Sequence, residues 1–231
     1  MNSLKRHKHT ILLAALVWVA IVQSFSRREL LGPVLSDLTI AMVMLLVFLI
    51  VFRRRVNRLV ACIALATAVV ADCIHYLLPG FAELPLRLIY HSAALLLVGF
   101  ATLVILRNIF EERVVRADDV LGAVCGYLLA ASAWSNLFML IEIFSPGSFS
   151  VGPGFSASMD TWHGRIAALS YVSLGSLTSI GSGAVVPVRP PANILTTLEA
   201  AFGQFYIAVV VAQLVSARLS QPSQRSGSLQ A

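Results

Sequence analysis

Six apolar runs, each long enough to cross or nearly cross a bilayer, leave this chain few folds to choose from. They cover residues 10–25, 33–52, 58–78, 86–110, 120–144 and 192–217. About 20 apolar residues in a helix span a hydrocarbon layer ~30 Å thick. Inside lipid every backbone N–H and C=O must be paired within the protein, so only helices and closed barrels cross it. Runs this long and unbroken are helical. Composition agrees: 58% of the 231 residues are hydrophobic and 12% charged, against about 25% charged in soluble domains. The expected fold is an all-α membrane protein with six transmembrane helices.

The net charge of +6 and a pI near 9.7 do not point to nucleic acid, because the basic residues sit at the ends of the apolar runs. With the N-terminus in the cytoplasm, the inner side collects Lys5, Arg6, Lys8, Arg53, Arg54, Arg55, Arg58, Arg107, Arg113, Arg116, Arg218 and Arg225. That is 12 of the 17 basic residues; Arg27, Arg28, Arg87, Arg165 and Arg189 remain outside. The asymmetry predicts both termini cytoplasmic, in the cell membrane, and the loop of residues 145–191 outside. The first run follows Lys5, Arg6 and Lys8 as a signal peptide would, but no small-x-small cleavage pattern follows it, so it reads as a retained helix.

A seventh segment, residues 161–179, is too polar at its start to span. It reads as a re-entrant helix with Asp160 as its candidate N-cap. The stretch it leads into, residues 171–190, carries no charge before Arg189 and interleaves Ser173, Ser176, Thr178, Ser179 and Ser182 with Gly175, Gly181 and Gly183. Irregular backbone at membrane depth persists only where it is buried in protein or lines water.

Ser176-Leu177-Thr178-Ser179-Ile180-Gly181-Ser182-Gly183-Ala184, with Pro187 after it, resembles the pore loop of the potassium-channel superfamily, in particular small bacterial channels with two pore-forming helices per subunit. Leu198-Glu199 and Gly203-Gln204-Phe205-Tyr206-Ile207-Ala208 resemble that family's inner helix. Trp134, Glu142 and Ser145-Pro146-Gly147-Ser148-Phe149 resemble its outer helix and the loop after it. The resemblance covers roughly the last hundred residues. Two positions depart from the pattern: Ser182 replaces a tyrosine that braces the filter, and Ala184 replaces an aspartate at the outer mouth.

The resemblance implies a homotetramer in the bilayer, each subunit adding a pore helix and a filter loop. Thr178, Ser179, Ile180, Gly181, Ser182 and Gly183 would form the selectivity filter, with Ala184 at its mouth, and rings of carbonyl oxygens would replace an ion's hydration shell. Gly203 would be the gate hinge and Glu199 a support behind the filter. The pore helix would direct its carbonyl end at the central cavity and favour a cation there. The permeant ion would be K+ or Na+, with no resident cofactor or metal, and no nucleic acid or small-molecule substrate. The second reading keeps this fold and loses transport: a nonconducting scaffold or regulatory subunit.

The chain divides on this view into an N-terminus (1–9), a four-helix module (10–110), a charged linker (111–119), a pore domain (120–217) and a tail (218–231). The fourth run has arginine only near its ends, Arg87 and Arg107, which is not the repeated pattern of a voltage sensor. Asp72, His75, Arg87 and His91 are expected to meet near the outer ends of the third and fourth helices. In the linker, Glu112 and Arg116 stand four apart and can pair if the helix continues. Cys62, Cys73 and Cys125 read as buried thiols. No nucleophile, phosphate-loop or metal motif occurs, and no enzyme is expected.

Overall fold

A computed structural model describes residues 8–25, 31–52, 55–78, 80, 82–111, 117–152, 159 and 161–219. Among them the chain forms seven helices and one two-stranded ribbon. The helices are α1 (Lys8–Phe25), α2 (Leu31–Val51), α3 (Arg55–Leu77), α4 (Glu83–Glu111), α5 (Ala117–Phe144), α6 (Trp162–Leu177) and α7 (Pro190–Leu219). The ribbon pairs β1 (Phe149–Val151) with β2 (Val185–Pro187).

All six apolar runs are helical. Four described stretches are long and apolar enough to cross a membrane: Asn57–Leu77, Glu83–Glu111, Asp118–Phe144 and Pro190–Ser216. Among the residues whose side chains are described, the apolar stretches of the first two helices are His9–Val22 and Asp37–Val51.

Local chemistry sets several helix ends. Asp118 and Asp119 occupy the first turn of α5, where their charge complements exposed N–H groups. Pro190 and Pro191 open α7, where missing N–H groups cost nothing. The N-cap of α6 is Thr161, not Asp160: its extended backbone lets the side chain accept the Gly164 N–H at 3.1 Å. Asp160 lies outside the described residues. So do Glu112 and Arg116; next to them, within α4, Arg107 Nε pairs with Glu111 Oε1 at 2.6 Å.

The main core runs from α1 through α4 and α5 into α7, joining Leu12, Val47, Leu97 and Leu129 to Tyr206 and Val210. A second core packs Phe138 and Met139 of α5 and Ala168, Leu169 and Val172 of α6 against Phe149 and Val185 of the ribbon. α7 buries one stripe, Ala192, Glu199, Gly203, Tyr206 and Val210, and leaves much of its remaining circumference exposed.

Candidate functional site

The candidate site is the loop of residues 178–184, between the end of α6 and the ribbon strand β2. Its support begins at the far end of α5. The Glu142 carboxylate accepts the backbone N–H groups of Gly147 (2.7 Å), Ser148 (2.9 Å) and Phe149 (3.3 Å). Burial of Glu142 strengthens these charge-assisted bonds. They fix the turn that launches β1. β1 then pairs antiparallel with β2, Ser150 opposite Val186 and Val151 opposite Val185. Gly152 N–H donates to the Ala184 carbonyl at 2.7 Å, and the Ser148 carbonyl accepts from Val188 N–H at 2.8 Å. The turn after α5 and the segment after residues 178–184 are thus one unit.

The four carbonyls in the last turn of a helix have no intrahelical partner and must find others when buried. In α6 each does. Leu174 accepts from Thr178 N–H (3.1 Å), Gly175 from Gly181 N–H (3.0 Å) and Ser176 from Ser179 N–H (2.9 Å). Leu177 accepts from the Tyr127 hydroxyl at 2.7 Å. The Thr178 hydroxyl also turns back, donating to the Leu174 carbonyl at 2.7 Å. The loop therefore curls onto the helix that precedes it.

That curl needs left-handed backbone at two points. Ser179 has φ +57° and Gly181 φ +83°. Gly181 adopts this without steric cost, whereas Ser179 must be held there. Gln204 on α7 does part of the holding: its Nε2 donates to Ser179 Oγ at 2.8 Å. The loop also comes so close to α6 that a Cβ on Gly175 would stand 2.9 Å from the Gly181 carbonyl oxygen.

Beyond the curl, Ser182 closes a turn. Its hydroxyl donates to the Val185 carbonyl at 2.7 Å and its carbonyl accepts Val185 N–H at 3.1 Å. Ser182 and Ala184 are half-buried, while Ser179, Ile180, Gly181 and Gly183 are exposed. Ile180 is 84% exposed, so the tip of the loop projects away from its own chain.

Glu199 lies behind the loop, fully buried, with Oε1 in contact with the Ser173 hydroxyl. Ser173 Oγ also lies 2.7 Å from the Ala131 carbonyl. A hydroxyl has one proton to give. Either it serves Glu199, or it serves Ala131 and the contact with Glu199 is made by a proton on the carboxyl. Among the described residues Glu199 Oε2 has no hydrogen-bond partner. Gly203 faces the Leu177 carbonyl, and α7 runs on past it as one helix.

The expected cluster of Asp72, His75, Arg87 and His91 divides in two. Arg87 Nη2 reaches His75 Nε2 at 2.7 Å, while His91 Nδ1 lies 2.9 Å from Asn136 Oδ1. Among the described residues Asp72 is hydrogen-bonded to neither pair, whereas Asp37 enters unforeseen: it accepts from the Tyr76 hydroxyl at 2.5 Å and lies 3.2 Å from His163 Nε2. Trp162 Nε1 donates to Glu83 Oε1 at 2.7 Å. α2 and α4 therefore grip the N-terminal end of α6 directly. Among the described residues no group of three His, Cys, Asp or Glu side chains is placed to hold a metal ion. An ion at the loop would meet backbone and hydroxyl oxygens.

Tyr127 and Gln204 are the side chains that sequence reasoning did not assign to the loop. Both are polar groups inside long apolar runs, a pattern that marks a hydrogen-bonding duty in lipid. Comparison of the chain with protein-family models, curated proteins and solved structures finds no match.

Proposed function

We propose that the chain is one subunit of a tetrameric, potassium-channel-like cation channel in the cell membrane, with six transmembrane helices and both termini in the cytoplasm. The observation that carries this reading is the exposed loop of residues 178–184, held at the end of a short helix by α5 on one side and α7 on the other. Supporting it, Thr197, Ala201, Gln204 and Ala208 share one exposed face of α7, and Gln204 ties that face to the loop. Four copies with this face inward would bring four loops together. Oxygens of Ser179, Ile180, Gly181 and Ser182 would then coordinate K+ or Na+, with Ala184 at the mouth, Glu199 as support and Gly203 as candidate hinge.

Ser182 spends its hydroxyl on its own turn and Ala184 offers no carboxylate, so strong preference for K+ over Na+ is not expected. Arg87 and Arg107 do not make a voltage sensor. The test is purified protein in planar bilayers with K+ and Na+ on opposite sides. Single-channel currents carried by either ion support the reading, and electrically silent bilayers containing folded protein overturn it.

A second reading, a nonconducting scaffold or regulatory subunit, is favoured by one specific observation. The end of α6 satisfies itself: all four of its terminal carbonyls are paired within the chain, and Gly181 N–H closes onto Gly175. The loop is thus folded back onto its own helix by bonds that involve no ion.

A further inference from the structure

Two acidic side chains are buried among the described residues, Glu142 and Glu199, and their surroundings are opposite in kind. The oxygens of Glu142 meet three backbone N–H groups. Among the described residues Glu199 meets no N–H. Its Oε1 touches the Ser173 hydroxyl, and its Oε2 is buried without a hydrogen-bond partner. Nor is any arginine, lysine or histidine nitrogen among the described residues paired with it. An ionised carboxylate in this place would carry its desolvation cost with a single hydroxyl to offset it.

The oxygens around Ser173 allow the protons to be counted. Ser173 Oγ stands 2.7 Å from the Ala131 carbonyl oxygen and is also in contact with Glu199 Oε1. Each contact needs a hydrogen between its two oxygens. The serine hydroxyl supplies one. The Ala131 carbonyl, which also accepts from Ser135 Oγ at 3.0 Å, has none to give, so the second comes from Glu199. With a carboxylate at position 199, one of the two contacts would set oxygen lone pairs against each other. The neighbouring titratable and charged groups leave this count unchanged. On α5, Tyr127 gives its hydroxyl hydrogen to the Leu177 carbonyl, Cys125 bonds to the His9 carbonyl, and Asp118, Asp119 and Glu142 lie at the two ends of the helix. On α6, Tyr171 is exposed, His163 pairs with Asp37, and Arg165 donates to the Met159 carbonyl. On α7, Tyr206 donates to the Ala123 carbonyl, and Arg189, just before the helix, donates to Ser145.

We propose that Glu199 holds a proton in the folded protein and is the first donor of a relay, Glu199 to Ser173 to the Ala131 carbonyl, that clasps α7 to α6 and α6 to α5 behind the loop of residues 178–184. The ligand of this site is a proton. Its removal leaves a buried charge without a partner and two oxygens in contact with no hydrogen between them, so the clasp opens when the proton leaves. Ser173 lies about one helical turn before Leu177, and Glu199 about one turn before Gly203. The clasp therefore adjoins the place where Gly203 packs on the Leu177 carbonyl. It does not depend on whether the loop conducts ions.

The test is infrared spectroscopy of the full chain in phosphatidylcholine vesicles, with glutamate isotopically labelled at its side-chain carboxyl carbon. At neutral pH the spectrum should contain an isotope-shifted band of a protonated carboxyl, and Glu199→Gln should lose it. Ser173→Ala removes the acceptor for that proton, so the band should move to the higher frequency of a carboxyl with a free hydroxyl. This second variant assigns the band even if Glu199→Gln does not fold. As the pH is raised, amide protection at Leu177 and Gly203, measured against the buried Leu97 of α4, should fall where the band falls. Carboxylate bands alone in the wild type, a protonated band that persists in folded Glu199→Gln, or a band unmoved in folded Ser173→Ala would overturn the proposal. So would loss of the band with protection at Leu177 and Gly203 unchanged.

Discussion

Gly203 on α7 lies directly against the carbonyl of Leu177 on α6: a Cβ at position 203 would stand 2.0 Å from that oxygen and 2.8 Å from its carbon. The contact is backbone against backbone, so no side chain can move aside to relieve it. The same carbonyl takes the Tyr127 hydroxyl. Three helices that flank the loop therefore meet at one peptide group.

Gly203→Ala separates two roles for this glycine. If the residue served only to loosen the helix, alanine would stabilise α7 by about 1 kcal/mol. The contact with Leu177 instead forces a backbone shift, for which overpacking costs of about 1–3 kcal/mol are usual. The variant should melt below the wild type in detergent. A raised melting temperature would return Gly203 to a pure hinge.

Tyr127→Phe keeps the ring packing against Tyr206 and removes the donor from the Leu177 carbonyl. A buried acceptor left unpaired costs about 1–3 kcal/mol. The variant should lose that much stability, and amide exchange should rise in residues 178–184. Unchanged exchange there would mean that the loop is anchored elsewhere.

Glu199→Gln and Glu199→Ala should behave differently. The glutamine amide can donate to Ser173 Oγ while Ser173 donates to the Ala131 carbonyl, so Glu199→Gln should stay within about 1 kcal/mol of the wild type. Glu199→Ala opens a cavity beside Ser173, and truncations of this size cost about 2–5 kcal/mol. Thermal melts of both variants make the comparison. Equal losses would show that a charge, not a hydrogen-bonded shape, is required.

Glu142→Ala removes the acceptor for three N–H groups at once. Bonds to a charged group contribute about 1.5–3 kcal/mol each, though not additively. The ribbon should fray, with faster amide exchange at Val151 and Val185. Wild-type protection at both would show that β1 and β2 hold their register without the turn.

Ser182→Tyr with Ala184→Asp tests the loop as a filter. The pair restores the two side chains by which the loop departs from the potassium-channel pattern. In a conducting pore the permeability of K+ relative to Na+ should rise at least several-fold in bilayer recordings. An unchanged ratio would sink the account of these two positions, though not of the pore itself.

The helices were legible because apolar length is a local property. Residues 58–78, 86–110, 120–144 and 192–217 needed only counting, and α3, α4, α5 and α7 follow them within a few residues. The start of α6 was legible to within one residue; Thr161 displaced Asp160 as its cap because its side chain reaches the Gly164 N–H. Glu142 and the turn after it were marked by resemblance alone, with no sign of what the carboxylate does. Asp37 gave no signal of its partners, since Tyr76 and His163 lie 39 and 126 residues away in the chain.

Sequence by itself determined the solvent this protein lives in, which segments are helical, and where the backbone must be irregular, because hydropathy and glycine placement act over a few neighbouring residues. Only the tertiary structure decided how the loop of residues 178–184 is held. Its partners, Tyr127, Gln204 and the peptide of Leu177 against Gly203, come from separate helices. Such bonds depend on distance and direction across a packed interface, and composition carries neither. The same holds for Arg87: a charge near a helix end is read at once from the chain, but its bond to His75 and the Trp162 ring beneath its guanidinium exist only once α3, α4 and α6 have packed together.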